Sequence, residues 1–240
     1  MNGSPHTEYL DAMGIQRWVA RDAGAPGAML PESEPLAAPA PVPAARPAAA
    51  AADTPDWPML AAQVSACTRC ELHKTRSQAV FGTGNRQADW MIIGEAPGAE
   101  EDRQGEPFVG RAGQLLNEML FAAGYRRDEV YIANVIKCRP PNNRDPSTQQ
   151  VASCRGYLER QIELVNPKLL LAVGRIAAHN LLNTETPLGR MRGKVHRYGG
   201  QGIPVVVTYH PAYLLRSPLE KRKVWEDLLF AQAVCHDQSA

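Results

Sequence analysis

Cys67 and Cys70 are separated by two residues, and Cys138 and Cys154 follow far downstream. Four thiolates can close a site around either a zinc ion or a [4Fe-4S] cluster, since both take four soft ligands in tetrahedral disposition. The spacing leaves both open. The bland alternative is packing: an unpaired cysteine is among the most buried residue types, and Cys138 and Cys154 could simply fill a core. A fifth thiol, Cys235 in FAQAVCHDQ, reads as a spare.

A second set of chemistry-bearing residues falls where apolar runs end. Gly94-Glu95-Ala96-Pro97-Gly98 follows Trp90-Met91-Ile92-Ile93, and its glycines and proline predict a tight turn that brings backbone close to a ligand. Glu100, Glu101 and Asp102 come next; such carboxylates either lie solvated or hold a water against a reacting centre. Phe108 sits in the glycine-rich stretch GEPFVGRAG (105–113), a setting that suits stacking on a flat ring better than core packing. Asn134 lies near the end of the run from Val130 to Ile136. Its amide offers the acceptor and donors needed to read a pyrimidine edge, turn capping being the competing role. His210 follows the run PVVVT and is expected at the same sheet edge as Glu95 and Asn134. A lone histidine is most often structural; three polar groups at one edge favour a site. Gly82-Thr83-Gly84 lacks the third glycine of a dinucleotide fingerprint and no P-loop is present, which disfavours nucleotide cofactors.

The elements that must position these groups are legible as alternating patterns. Trp90 to Ile93, Val130 to Ile136, Leu169 to Val173 and Pro204 to Thr208 predict four strands. Leu115, Leu116, Met119 and Leu120 sit at helical spacing, and Val151, Leu158 and Ile162 do so again after a possible Ser147/Gln150 capping box. Strands alternating with helices predict a three-layer α/β/α fold around a mainly parallel four-stranded sheet, with ligands bound beyond the carboxyl ends of the strands. This domain is expected over 55–240. Before it, 23–54 is dominated by Ala and Pro and reads as a disordered linker. Residues 1–22 hold a small apolar island, Tyr9, Leu10, Met13, Ile15, Trp18 and Val19, too short to fold alone. It would dock on its own domain or bind a partner.

With 26 Lys and Arg against 25 Asp and Glu, the formal net charge of +1 excludes whole-molecule attraction to nucleic acid, so any such site is a local patch. No apolar stretch is long enough to span a membrane and no secretory signal layout is present, so the chain is expected to be soluble, cytoplasmic and monomeric. A disulfide framework is not expected in that reducing compartment.

Together, Cys67-x2-Cys70, GEAPG (94–98), PFVGRAG (107–113), NVIKCRPPNNR (134–144), Cys154 and HPAYLLR (210–216) resemble the family 4 uracil-DNA glycosylases, in order and over nearly the whole chain after the linker. The resemblance implies the uracil-DNA glycosylase fold with a [4Fe-4S] cluster held by Cys67, Cys70, Cys138 and Cys154, and uracil-containing DNA as substrate. It implies that Phe108 stacks on uracil, that Asn134 bonds its edge, that His210 faces O2, and that Gly94, Glu95, Ala96 and Gly98 line the pocket. His210 would stabilise charge growing on the leaving base. A flipped base leaves a gap, for which Leu214, Leu215 and Arg216 are the wedge candidates. Arg139, Arg144, Arg190, Arg192, Lys194 and Arg216 could meet phosphates. The turn carries Ala96 where other uracil glycosylase families carry Asp or Asn, so the water-activating residue is sought elsewhere: Glu101, with Asp102 or Asn143 as alternatives. The cluster is expected to be structural, because hydrolytic base removal moves no electrons.

Tyr9-Leu10-x2-Met13-Gly14-Ile15-x2-Trp18 followed by Arg21 resembles, over under twenty residues, the N-terminal peptide of the psi subunit of bacterial DNA polymerase III, which binds the clamp loader. That resemblance implies clamp-loader subunits as partners through residues 8–21, and an alternative role as a replicase adaptor on a glycosylase fold.

Overall fold

Strands β2 (Trp90–Gly94), β3 (Tyr131–Asn134), β4 (Leu169–Val173) and β6 (Ile203–Thr208) form the parallel centre of a six-stranded sheet in the computed structural model, which describes residues 56–237. The short strands β1 (Thr83–Gly84) and β5 (His196–Tyr198) add antiparallel edges, giving the order β1-β3-β2-β4-β6-β5. The four predicted strands are therefore the sheet's centre, and the count of four is corrected to six. Edge strands of two and three residues are too short to carry a hydrophobic period. The expectations for 1–22 and 23–54, including the clamp-loader motif at 8–21, lie outside the described residues.

The central strands are buried on both faces, which is why they read as unbroken apolar runs rather than alternations. Alternation reappears in where each side chain goes. Met91, Ile93, Tyr131, Ala133, Leu170, Ala172, Val205 and Val207 enter one core. Trp90, Ile92, Ile132, Leu169, Leu171, Val173 and Val206 enter the other. The first core is closed by α1 (Asp56–Ser65), α4 (Thr148–Val165) and α5 (Arg175–Leu182); the second by α3 (Arg111–Ala122) and α8 (Lys221–Asp237). Helices α2 (Ala99–Gln104), α6 (Leu188–Met191) and α7 (Pro211–Arg216) are short and sit next to loops. The predicted Ser147/Gln150 capping box is present: Gln150 N donates to Ser147 Oγ (3.3 Å) and Ser147 N to Gln150 Oε1 (3.0 Å).

Strand order reverses about β2: the chain passes from β2 to β3 on one side and then crosses to β4 on the other. A crevice opens beyond the carboxyl ends at such a switch point. Among the described residues no helix is long and apolar enough to cross a membrane.

Candidate active site

The sheet register sets Gly94, the last residue of β2, beside Asn134, the last of β3. A Cβ on Gly94 would come within 2.5 Å of both Asn134 Oδ1 and Phe108 Cζ, so the absent side chain leaves a slot between the amide and the ring. Asn134 is 2% exposed, and its Oδ1 has no hydrogen-bond partner. A buried orphan acceptor costs about 1–3 kcal/mol, and its presence in a pocket points to a ligand that brings the donor. The backbone at this point is tied down. Buried Lys137 donates from Nζ to Asn134 O (2.9 Å) and Gln161 Oε1 (2.5 Å), while Gln161 Nε2 donates to Phe81 O and to the Tyr131 hydroxyl. Burial pulls the Lys137 ammonium down to about 8, with Cys154 opposing.

Phe108 holds a φ of 54°, a left-handed conformation uncommon for an aromatic residue and maintained only where surroundings enforce it. Three devices do so here. Glu101 Oε1 accepts from Val109 N and Gly110 N, both at 2.9 Å. Arg127 donates to Pro107 O (2.5 Å) and Phe108 O (3.3 Å). Gly113 passes so close to Phe108 O that a Cβ would lie 1.8 Å away. The ring is buried rather than standing free, and it stacks on His210 with centroids 5.6 Å apart and planes 29° from parallel.

His210 leaves β6 as the N-cap of α7, and its Nδ1 accepts from Ala212 N (3.1 Å). An imidazole that accepts at Nδ1 carries its proton on Nε2. Burial, and then the Arg216 charge, push its pKa down to about 4 against the pull of Glu101, so at neutral pH the ring is an uncharged Nε2–H donor. Gly174, with a φ of 95°, backs it: a Cβ there would meet His210 Cβ at 3.0 Å.

The acids divide by environment. Glu95 follows Gly94 at the sheet edge, and burial, then Asp145, raise its pKa to about 7 while Arg175 lowers it. Glu101 is occupied. Besides the two amides above, its Oε2 accepts from Gly98 N (3.1 Å), completing a capping box at the start of α2. A carboxylate with three backbone donors holds the Phe108 loop rather than a water, which corrects the expectation for Glu101. Asp102 is buried and accepts Ser77 N on both oxygens (3.0 Å each), tying α2 to the chain after the cysteine pair. Asn143 stands exposed on a short turn with a φ of 53°, accepting from Arg139 Nε (2.8 Å). Ala96 and Gly98 are partly buried in the same turn as Glu95.

Leu214 is fully buried in the second core, so it is removed from the wedge: α7 turns it inward, leaving Leu215 (39% exposed) and Arg216 outward. Leu219, 92% exposed just after α7, was missed because a single apolar residue in a turn gives no periodic signal. Arg192 is also corrected as a phosphate contact. It pairs with buried Asp227 (2.7 and 3.0 Å), which accepts from Thr208 Oγ1 as well. Arg127 and Gly174 went unnoticed too; the strand–glycine–helix order at 169–175 was a signal for the latter.

Cys67, Cys70, Cys138 and Cys154 are free thiols in or against the first core. Cys138 and Cys154 are buried, and Cys67 and Cys70 pack against that core, partly exposed. Burial raises the Cys138 and Cys154 thiol pKa values, the latter to about 11, and each feels the charge of Cys67. Donors compensate: Arg76 Nη1 to Cys138 Sγ at 2.9 Å and Lys137 N to Cys154 Sγ at 3.3 Å. Among the described residues, no three His, Cys, Asp or Glu side chains gather closely enough to hold a single metal ion. Cys235 lies buried in the second core, far in topology from the other four.

The family model described as the Uracil DNA glycosylase superfamily matches residues 81–229. A type-4 uracil-DNA glycosylase of Archaeoglobus fulgidus is 44% identical over 179 residues, which cover 72% of this chain and 90% of that one. Those of Pyrobaculum aerophilum and Thermotoga maritima are 45% identical over 168 residues (68% and 86% of the two chains) and 44% over 169 (69% and 88%).

Proposed function

Since the chain belongs to the uracil DNA glycosylase superfamily, and within it to the type-4 group, we propose that it hydrolyses the N-glycosidic bond of uracil in DNA, releasing free uracil and leaving an abasic site. The observation that carries this reading is the orphan Asn134 Oδ1, facing the Phe108 ring across the space that Gly94 leaves open. Uracil presents N3–H to such an acceptor where cytosine presents a bare nitrogen, and O4 to the amide donor. Phe108 stacks on the flat face of the base.

Cleavage of the C1′–N1 bond leaves cationic character on the sugar while negative charge grows on uracil. The Nε2–H of neutral His210 donates to O2 as that charge develops, and a fixed donor at such a position is worth about 10²–10³ in rate. Neutrality matters: a donor that keeps its proton stabilises the departing anion without first spending a protonation step. Glu95 is the pocket acid that still gains and loses a proton near neutral pH, and it takes over the assignment of orienting the water that attacks C1′. Glu101 and Arg127 act as positioning residues through Phe108. Before any of this the nucleotide must leave the stack, at roughly a few kcal/mol; Leu215, Leu219 and Arg216 are the exposed groups of the α7 region available to fill the gap.

The thiol set fits a [4Fe-4S] cluster. Cys138 and Cys154 each feel the charge of Cys67, and Cys138 that of Cys70 as well; the Arg76 and Lys137 donors to Cys138 and Cys154 Sγ suit thiolate ligands. Cys67, Cys70, Cys138 and Cys154 would hold the cluster, and its role there would be structural, joining the loop at 66–76 to the segment after β3 and to α4. Nothing in the comparisons favours the adaptor reading.

The test is uracil release from a uracil-containing oligonucleotide by protein purified anaerobically, beside an Asn134→Ala/His210→Ala double variant. Release by the first and not the second supports the assignment. No release by a folded, iron-loaded wild type would refute it.

A further inference from the structure

We propose that a cleft beside the cysteine loop, outside the base pocket, binds a backbone phosphate of the DNA strand flanking the flipped nucleotide; the proposal rests on the glycosylase reading. The cleft, of about 520 Å³, lies between the loop at 68–74 and the start of α4. Arg69, Lys74 and Arg144 line it with His73, against one carboxylate, Glu71. Arg69, Lys74 and Arg144 are solvent-exposed. None of the three forms an ion pair with a carboxylate among the described residues, and Arg144 bonds only neutral acceptors, Asp145 O and Gln150 Oε1. Arg69 stacks over the Tyr157 ring at 4.3 Å on the side of a neighbouring cleft that both residues line, so it stands at the rim between the two clefts. The first turn of α4, an 18-residue helix, supplies Ser147, Gln149 and Gln150 to the same cleft, with the positive end of its dipole toward it.

Continuity with the base pocket singles out DNA as the ligand. Arg144 in the cleft is followed in the chain by Asp145, whose charge is felt by Glu95 in the pocket and which pairs with Arg175 after β4 (2.6 Å). One short loop thus joins the two cavities. A strand whose nucleotide enters the pocket carries phosphates onward at about 3.4 Å of axis per nucleotide, and this loop is the path along which a flanking one reaches the cations.

The experiment measures affinity for a duplex carrying an uncleavable abasic-site analogue between 50 and 200 mM salt, with single-turnover uracil release measured in parallel. Arg69→Gln/Lys74→Gln is expected to weaken binding about tenfold and to lower the slope of log K against log salt by about 0.9, the contribution of one phosphate contact. The release rate at saturating DNA and the iron content stay unchanged. Gln149→Lys, on an exposed helix position across the cleft from the loop at 68–74, is expected to tighten binding and steepen the slope, a gain that misfolding cannot produce. Trimming the duplex one nucleotide at a time should reveal a step on one flank in the wild type that is missing in the double variant. Unchanged slopes in both variants, or no such step, overturn the proposal. Absence of uracil release by the wild type would instead overturn the glycosylase reading, whatever the slopes.

Discussion

His210→Asn separates two jobs that one side chain performs. The native Nδ1 accepts from Ala212 N and caps α7, while Nε2–H is the donor to the leaving base. Asparagine is among the best N-caps, so its Oδ1 can keep the first job, but it has no donor at the reach of Nε2. The expected loss is therefore confined to catalysis: about 10²–10³ in single-turnover rate, or about 2.7–4 kcal/mol of transition-state stabilisation, with substrate affinity nearly unchanged because O2 becomes strongly negative only as the bond breaks. His210→Ala should lose the same rate and also the cap, lowering stability by a further 0.5–2 kcal/mol or about that. The electrostatics add a second readout. With a pKa pushed down to about 4, roughly one ring in a thousand is protonated at pH 7, so the wild-type rate should show no limb near 6.5 from this residue. The assay is single-turnover release over pH 5–8 for all three proteins, with thermal unfolding and an NMR titration of the ring. A wild-type rate in His210→Asn, or a ring that titrates near 6.5 with its proton on Nδ1, would refute the reasoning. The linkage sign is also fixed: the unfolded ring protonates below about 6.5 and the folded one below about 4, so this residue's effect on stability is absent above 6.5 and increasingly destabilising as pH falls to 4.

Asn134→Leu removes the orphan acceptor, so thermal stability should stay level or rise, by up to about 1–3 kcal/mol, while binding of free uracil measured by calorimetry disappears; lost stability with retained uracil binding would contradict the pocket assignment. Glu95, with its pKa raised to about 7, should produce a rise in release rate with pH centred near 7 that Glu95→Gln abolishes. The same shift makes the folded carboxyl hold its proton between 4.5 and 7, so Glu95 contributes stability below 4.5 that is lost as pH rises to 7, a trend absent from the Gln variant in denaturant titrations. Glu101→Gln presents an amide donor where three backbone N–H groups need acceptors; it should cost about 1–3 kcal/mol and raise KM more than it lowers kcat, and a variant with full activity and stability would remove both roles suggested for this residue. Removing iron by oxidation and chelation should unfold the loop at 66–76 first, seen as rapid amide exchange there before the sheet, as metal binding and folding are linked; uniform loss of protection would place the cluster's contribution elsewhere.

The chemical types were legible in the sequence because a glycine turn, an amide and a histidine each followed a run apolar enough to be a buried strand. Strand ends face one crevice in such a sheet, so Glu95, Asn134 and His210 could be placed at one edge from chain order alone. The cysteines were recognisable as a set for the same reason, since residue type and chain order are local properties. Direction was not. Whether Leu214 or Leu215 faces solvent depends on the phase of a six-residue helix, which is set by how α7 packs against α3. Whether Glu101 holds water or backbone depends on the path of 107–110, a loop brought back to α2 by Arg127 from twenty residues away. The lowered pKa of His210, the raised one of Glu95 and the orphaned acceptor of Asn134 arise from burial by distant segments. Burial is a property of the assembled fold, and that is why residue identity was decided by the chain and protonation and partnership only by its tertiary structure.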